Sequence, residues 1–331
     1  MFSNKIDFLA IGDITTDAFI RLKNADVHCK VNTDQCEICL PFGDKIPFEY
    51  VKVVRAVGNS ANAAVAAARL GLKTSFATNM GDDQNGRDCV VELRKNNVDT
   101  SLVRVHRHKP TNYHFVLWYD VDRTILVNHN EYDYRLPHLP TPKWIYLSSL
   151  AANTYPYHLE LADYLEANPE VKLAFQPGTF QMTLGLVELK RIYERTEVFV
   201  VNVEEAQRIL KTDSRDVKDL MKQLASYGPK LVAITDSVKG SYLYDGEHSY
   251  FMPIYPDPRP PFERTGCGDA WSSTFVAALA LGKSPLEALV WAPVNPMSVV
   301  QFVGAQEGLL SREQLEWWLA RAPEEYKPKE I

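Results

Sequence analysis

The chain of 331 residues reads as an α/β protein: a mainly parallel central sheet, helices on both faces, and a small second sheet. Three observations predict this. From Trp144 onward, short apolar runs alternate with amphipathic segments, strand then helix, as in a parallel sheet covered on both sides. Residues 16–57 and 113–127 instead alternate residue by residue, as half-exposed strands do. The length suits one large α/β unit with an appendage, or two smaller units.

The elements follow in order. Ile6-Asp7-Phe8-Leu9-Ala10-Ile11 is a short, mostly apolar run closed by Gly12-Asp13, a buried first strand. Residues 16–57 carry no helical period; Ala18 to Leu22 and Tyr50 to Val54 alternate, with a turn at Pro41-Phe42-Gly43-Asp44. Asn59 to Leu70 is alanine-rich and stops at Gly71, a helix with a glycine end. Thr74 to Thr78 is a strand and Gly86 to Asn96 an amphipathic helix. Tyr113 to Val127 returns to the exposed sheet, with Tyr113, Phe115, Leu117 and Tyr119 on one face. Strands are then expected at Trp144–Leu147, Lys172–Phe175, Val198–Val201 and Leu231–Ile234. Helices are expected at Tyr157–Glu166, Gly185–Arg195, Val203–Leu210 and Val217–Tyr227. A strand pair, Ser241–Tyr244 and Ser249–Met252, precedes two closing helical segments, and Ala322 to Ile331 reads as frayed.

Composition excludes some functions. Apolar residues make up 46% and charged residues 24%, ordinary for a globular protein. A net charge of −6 argues against a nucleic-acid partner, because phosphate binding needs a basic face. Ala288 to Gln306 is free of charge but holds Pro293, Asn295 and Pro296, so no spanning helix is expected there and no membrane partner. The first residues lack a basic head and a long apolar run, which predicts no secretory signal and a cytoplasmic protein. Five cysteines (Cys29, Cys36, Cys39, Cys89, Cys267) are then expected as reduced thiols. Cys29, Cys36 and Cys39, with His28, fall short of the paired spacing of a structural zinc site.

The chemistry concentrates in Thr265-Gly266-Cys267-Gly268-Asp269, a glycine turn opening into a small-residue helix. Glycines let the backbone aim several N–H groups at one point, and the helix start adds a positive dipole end. That is an anion site for a transferring phosphoryl group. Asp269 at its edge is placed to take the proton of an attacking hydroxyl. A carboxylate at a helix start is expected to have a lowered pKa, so orientation counts for more than basicity here. The bland alternative is an N-cap aspartate.

With the rest of the chain in view, the sequence resembles the ribokinase-like (PfkB-type) family of carbohydrate and nucleoside kinases, from Asp7 to about Glu313. Gly266-Cys267-Gly268-Asp269 resembles the family's anion hole and catalytic aspartate. Gly58-Asn59-Ser60-Ala61-Asn62 resembles its glycine-asparagine segment, and Gly81-Asp82-Asp83-x2-Gly86 follows. Asn202-x2-Glu205 resembles the motif that orders phosphate and Mg²⁺-bound water. Thr235-x4-Gly240 resembles its nucleotide loop, and Val299-x4-Gly304-Ala305 its closing segment. The resemblance implies a three-layer α/β/α core with a mainly parallel sheet and a small β-sheet lid. The core would be 1–15, 58–107 and 130–331, and the lid 16–57 and 108–129. It further implies ATP and Mg²⁺, with Glu205 meeting the metal through water. Asn202, Thr235, Gly240, Asn295 and Gly304 would lie on the nucleotide side, and Asp17, Gly58, Asn59 and Asn62 on the acceptor side. A homodimer through the lid is expected as well.

Two departures carry expectations. Val57 stands where the family has a first glycine, which predicts a stiffer lid hinge. Glu263 stands where an aspartate often shapes a monovalent-cation loop, so potassium activation does not carry over. In the acceptor pocket, a carboxylate and an amide suit a neutral polyol. Ser148-Ser149 follows the 144–147 strand where ribose-specific members place an acid, so the sugar stays unnamed. Arg107, Lys109, Arg123 and Arg135 read as solvated surface charges. Phe42, Phe115, Trp118 and Tyr119 read equally as lid packing or as a shelf for a nucleoside base. The expectation is a sugar kinase. A nucleoside kinase or a non-catalytic sugar- or nucleotide-binding relative are the alternatives. A dinucleotide dehydrogenase is a poor third, because no Gly-x-Gly-x-x-Gly follows the first strand.

Overall fold

A computed structural model describes residues 6–29 and 36–331. The first five residues of the expected core, with the start of the stretch read for a signal, and residues 30–35 of the expected lid lie outside them. The central sheet runs in the order Lys329–Glu330, Ser249–Met252, Ser241–Tyr244, Leu231–Thr235, Thr196–Asn202, Lys172–Phe175, Trp144–Leu147, Phe8–Ile11, Thr74–Gly81, Val103–His106. From Leu231–Thr235 to Val103–His106 every pairing is parallel; the last three strands join antiparallel.

Alternate strand residues feed two cores, which is why the parallel strands read as unbroken apolar runs. Phe8 and Ala10 pack on one face with helices Asn59–Arg69, Gln84–Lys95 and Cys267–Ala280. Leu9 and Ile11 pack on the other with Tyr155–Ala167, Val203–Leu210 and Val217–Ala225. Each fully buried Leu, Ile or Phe contributes about 1.5–3 kcal/mol.

The second sheet has the order Phe48–Val57, Thr15–Leu22, Tyr113–Tyr119, Asp122–Leu126. Its register places Asp17 beside His114 and Val116 beside Ile125. The inner face holds Phe19, Val116 and Trp118, packed with Val303. Tyr113, Phe115, Leu117 and Tyr119 do share a face, but Phe115 on it is exposed. The buried face is the one with Val116 and Trp118.

Several expectations are corrected. The 185–195 helix is broken: Thr179–Glu188 bends at Gly185, whose φ is 84°, and Lys190–Arg195 is separate. Val103–His106 was not foreseen; its Val-Arg-Val-His is too short for a periodic signal, and parallel pairing to Thr74–Gly81 makes it a strand. The frayed tail is tied down by pairing of Lys329–Glu330 with the 249–252 strand. After the strand pair the chain forms four helices, Cys267–Ala280, Pro285–Trp291, Val294–Val299 and Arg312–Leu319, rather than two. Pro293 and Pro296 help cut the charge-free stretch into short pieces. Among the described residues no helix is long and apolar enough to cross a membrane.

The cysteines also differ from expectation. Cys29 and Cys36 face each other across the Asp26–Cys29 and Cys36–Cys39 hairpin and form a disulfide. Cys39 is three positions on and points to the opposite face of that hairpin. The three sulfurs therefore cannot converge on a metal.

Candidate active site

Two helices bring the central groups together. Asn59–Arg69 and Cys267–Ala280 pack side by side through small residues, among them Ala63, Ala66, Ala270 and Ala277. Small side chains let the two backbones approach closely, and both helices begin at the same cleft. Asn59 and Asn62 on the first thus reach Asp269 on the second. Asn59 Nδ2 donates to Asp269 Oδ1 at 3.0 Å and Asn62 Nδ2 to Oδ2 at 2.8 Å. Gln176 Nε2 adds a third bond, to Oδ1 at 3.2 Å.

These amides are themselves held. Gln306 Nε2 donates to Asn62 Oδ1 at 3.0 Å, which fixes the Asn62 amide with its N–H toward Asp269. The Tyr146 hydroxyl bonds Gln176 Oε1 and lies 2.7 Å from Ser272 Oγ. A carboxylate has about four lone-pair sites; three are filled, and one is left for an acceptor hydroxyl.

The pKa of Asp269 is raised. Burial is the largest cause and pushes it up; the bonds from Asn62, Gln176 and Asn59 pull it partly back, and the charge of Arg123 helps. This corrects the expectation of a lowered value: desolvation outweighs the helix start. The Cys267 thiol is pushed up to about 12 by burial, so it stays protonated.

The turn needs its first glycine for both conformation and space. Gly266 has φ 83°, and a Cβ there would lie 2.2 Å from Ala305 Cβ. A Cβ on Gly268 would meet nothing within 4 Å, because that position faces the cleft. Gly58 has φ 107° and caps the Asn59–Arg69 helix. Val57 is absent from the positive-φ residues, so no glycine is required there.

Glu263 is fully buried, and both its oxygens are used. Oε1 accepts from Thr265 N at 2.7 Å and Thr265 Oγ1 at 2.6 Å; Oε2 accepts from Gly304 N at 3.1 Å. The longer side chain staples the glycine turn to the closing segment.

Two cavities meet at this turn. One, of about 590 Å³, is lined by Asp17, Asn59, Asn62, His114, Gln176 and Asp269. The other, of about 390 Å³, is lined by Ser237, Val238, Gly240, Tyr255, Pro293 and Met297. Asn202, Thr235, Arg123, Arg264, Cys267 and Gly268 line both.

The structure thus brings together Asp17, Gly58, Asn59, Asn62, Glu205 and Gly266 to Asp269 in the first cavity, and Asn202, Thr235 and Gly240 in the second. Asn202 and Glu205 cap their helix reciprocally: Glu205 N donates to Asn202 Oδ1 at 2.7 Å, and Asn202 N to Glu205 Oε2 at 2.9 Å. Burial raises the Glu205 pKa, and the nearby Asp269 charge adds to it.

Two residues expected on the nucleotide side lie away from the linings of both cavities. Asn295 is fully buried below the cleft, donating to Thr274 Oγ1 at 2.7 Å and accepting from Leu310 N at 2.8 Å. Gly304 is spent on Glu263 and packs near Val54 and Phe19 of the second sheet. Neither lines either cavity.

Other residues were missed. Arg123 lies in the cleft, not on the surface, because the inner face of the Asp122–Leu126 strand turns toward Asp269. Gln176, His114 and His129 gave no motif signal, and only packing brings them to the cleft; Arg264 stands directly before the Thr265–Asp269 motif. His114 Nδ1 lies 3.3 Å from Asp17 Oδ1 without hydrogen-bond alignment, so that oxygen has no partner within the described residues. Asp13, beneath, accepts from the Tyr134 hydroxyl at 2.7 Å and lies 2.8 Å from His129 Nε2. Arg107, Lys109 and Arg135 stay outside the two cavities, and so do Phe42, Phe115, Trp118 and Tyr119. Ile125, Val127 and Phe180 form an apolar wall of the larger of these two cavities.

Comparison with known proteins agrees with this geometry. A model of the pfkB family carbohydrate kinases matches residues 51–311. The chain is 28% identical over 242 residues to a cytidine kinase of Thermococcus kodakarensis, covering 71% of this chain and 82% of that protein. It is 26% identical over 294 residues to a 2-dehydro-3-deoxygluconokinase of Thermoproteus tenax, covering 82% and 87%. Among solved structures, it is similar to Arabidopsis thaliana ribokinase complexed with ribose and ATP, with TM-score 0.75, 19% identity, and coverage of 95% and 99%. A putative ribokinase from Agrobacterium tumefaciens aligns with TM-score 0.77, 17% identity, and coverage of 96% and 98%.

Proposed function

The chain belongs to the pfkB family of carbohydrate kinases, and we propose that it moves the γ-phosphoryl group of ATP onto a hydroxyl of a small sugar, with Asp269 as general base. It is a phosphotransferase with an alcohol group as acceptor. The observation that carries the proposal is the meeting of two cavities at Gly266–Asp269, one polar and acceptor-sized, the other closed by the Thr235–Gly240 segment.

In this reading the acceptor lies against Asp17, Asn59 and Asn62. Its attacking hydroxyl donates to the free site on Asp269. As the oxygen bonds to the γ-phosphorus, the proton passes to the carboxylate, and the bond from phosphorus to the β–γ bridging oxygen breaks, releasing ADP. The N–H groups at the start of the Cys267–Ala280 helix, with Arg123 and Arg264, meet the charge on the transferring group. Arg123 belongs to the second sheet, so that charge is complete only with the sheet seated over the cleft as a lid.

Magnesium keeps several waters and needs only one or two carboxylates beside the phosphates. Glu205 fits that role, with Oε1 left over after its Asn202 bond. No cluster of three or more His, Cys, Asp or Glu able to hold a metal alone occurs among the described residues. Bound there, magnesium would supply neutralisation of phosphate charge. With Glu263 consumed as a staple, nothing supports a monovalent-cation requirement. A cytoplasmic homodimer paired through the lid completes the proposal.

The test is magnesium-dependent ADP release across sugars, sugar acids and nucleosides. Turnover of a sugar or sugar acid supports the reading. Turnover confined to nucleosides replaces it with a nucleoside kinase, for which the Ile125, Val127 and Phe180 wall would be the base shelf. Ligand-induced thermal shifts with no turnover would leave a binding relative.

A further inference from the structure

The acceptor cavity divides by charge. Arg123 and Arg264 line it where it joins the second cavity, since both line that one too. The part that is not shared is lined by three carboxylates, Asp17, Glu205 and Asp269, and among the described residues by no lysine or arginine. The imidazoles of His114 and His129 complete its titratable groups.

The two imidazoles differ in what they offer. His114 Nδ1 stands 3.3 Å from Asp17 Oδ1; its Nε2 is closed off from the cavity, and so is that Asp17 oxygen. His129 Nε2 lies 2.8 Å from Asp13 Oδ2. Asp13 Oδ1 accepts from the Tyr134 hydroxyl at 2.7 Å, and burial with the Asp13 charge pushes that hydroxyl's pKa up, so it stays an O–H donor. A carboxylate only accepts, so the proton between Asp13 and His129 sits on Nε2. Nδ1 is left over. It bonds nothing among the described residues and, unlike His114 Nε2, it is not closed off. Asp17 Oδ2 is open in the same way.

The His129 ring is held in place. Phe180 packs edge-on against it, with ring centroids 6.0 Å apart, and the His114 ring is 5.8 Å away. The next residue, Asn130, donates its backbone N–H to Asn112 Oδ1 at 2.8 Å, and Asn112 is fully buried. A fixed ring with one free nitrogen on a cavity wall is a recognition group.

We propose that His129 is a specificity-determining residue: its Nδ1 bonds one hydroxyl of the acceptor, Asp17 Oδ2 takes another, and the acceptor they select is a neutral polyol, not a sugar acid. A hydroxyl both donates and accepts, so it satisfies Nδ1 whether or not the ring takes a second proton. A carboxylate in the same place would meet Asp17 and, behind the imidazole, Asp13, with no guanidinium or ammonium group in that part of the cavity to offset them. The inference rests on the reading of this cavity as the acceptor site of a kinase, and narrows it.

The test has two arms, so that the inference and the kinase reading can fail separately. The first is calorimetry on the full chain, with Mg²⁺ and a non-hydrolysable ATP analogue filling the arginine-lined junction. D-ribose, D-fructose and cytidine are compared with D-gluconate and 2-dehydro-3-deoxygluconate. At least one neutral compound should bind saturably, and both acids at least about tenfold more weakly. His129→Gln keeps an N–H₂ within reach of Asp13 and removes the nitrogen that faces the cavity. Its urea midpoint and its affinity for the ATP analogue should stay near wild type, while affinity for the neutral compound falls about three- to tenfold. An acid that binds as tightly as any neutral compound overturns the inference, and so does an unchanged affinity in His129→Gln or no binding by any of the five. A midpoint that drops along with affinity overturns it too, since His129 would then be a prop for Asp13. The second arm is ADP release from ATP with the same compounds. Turnover that His129→Gln leaves untouched sinks the inference and keeps the kinase. Polyol binding weakened by His129→Gln, with no turnover of any compound, keeps the inference about the site and removes the kinase reading.

Discussion

Asp269 receives three amide N–H bonds yet keeps a raised pKa, and both facts bear on its proposed use as a base. The bonds orient the carboxylate; burial makes it more basic than an exposed aspartate. Asp269→Asn should therefore lower kcat by about 10²–10⁴-fold, with Mg·ATP still bound. Near-normal turnover would remove Asp269 from its role. For the wild type, kcat/KM should fall as pH is lowered through the raised value, with its inflection above the ordinary aspartate range. The sign for stability follows from the same shift. The folded state holds this proton more tightly than the unfolded state, so ∂ΔG/∂pH is negative between the two pKa values. The contribution is present below the unfolded value and lost as pH rises through the folded one. Urea midpoints measured across that window should fall in the wild type relative to Asp269→Asn. The place of Asp269 at a helix start was legible in the sequence, because glycines before a helix-start aspartate are a local pattern. Its environment was not. Gln176 sits after a strand in the middle of the sheet and Gln306 near the chain's end, and only packing brings them to Asp269 and Asn62. The same gap explains the mistaken direction of its pKa: a helix start can be read locally, burial cannot.

The glycine turn and its staple act as one element, and their two glycines separate by substitution. Gly266→Ala forces a side chain into positive φ and against Ala305, so it should cost at least about 1–3 kcal/mol of stability. Gly268→Ala meets open space; its midpoint should stay near wild type, while its methyl intrudes where the phosphoryl group passes and lowers kcat. Urea unfolding and turnover on the same two variants check both outcomes. Glu263→Gln places an N–H₂ against a backbone N–H, from Thr265 or from Gly304, and should cost about 1–3 kcal/mol. Added potassium should not restore its activity. Among the elements, strands bounded by turns were the most legible: Trp144–Leu147, Lys172–Phe175, Ser241–Tyr244 and Ser249–Met252 stand where the apolar runs end. The 185–195 helix failed because Gly185 was taken as a helix start and not as a break at φ 84°. Asn295 lies outside both cavities for a different reason. A polar residue in an apolar stretch invites a ligand role, yet here it closes two internal hydrogen bonds.

At the scale of the molecule, the second sheet has two faces of different character. The inner face carries Asp17, His114, Arg123 and Ile125 into the acceptor cavity. The outer face carries Val51, Val53, Phe115 and Leu126, which are 45%, 38%, 46% and 50% exposed. Register sets Ala18 between Val53 and Phe115, and Leu126 beside Phe115, so these side chains form one apolar row across all four strands. Contiguous exposed apolar surface of this kind marks an interaction face. The four-stranded sheet has open edges as well, at Phe48–Val57 and Asp122–Leu126. In the homodimer proposed above, a second copy of the chain would cover this apolar row with an identical one, as twofold pairing requires. Sedimentation should therefore show a dimer at micromolar concentration, and Val53→Asp with Phe115→Asp should give a monomer. A wild-type monomer under those conditions would rule the pairing out. If pairing holds each sheet over its own cleft, the monomeric variant should show a raised acceptor KM, because Asp17 and His114 ride on the same strands as the outer row. It should also leak phosphoryl groups to water, seen as ATP hydrolysis without acceptor, since Arg123 and the inner face no longer shut the cleft. Equal hydrolysis in monomer and dimer would confine the outer face to assembly and leave closure to the acceptor alone.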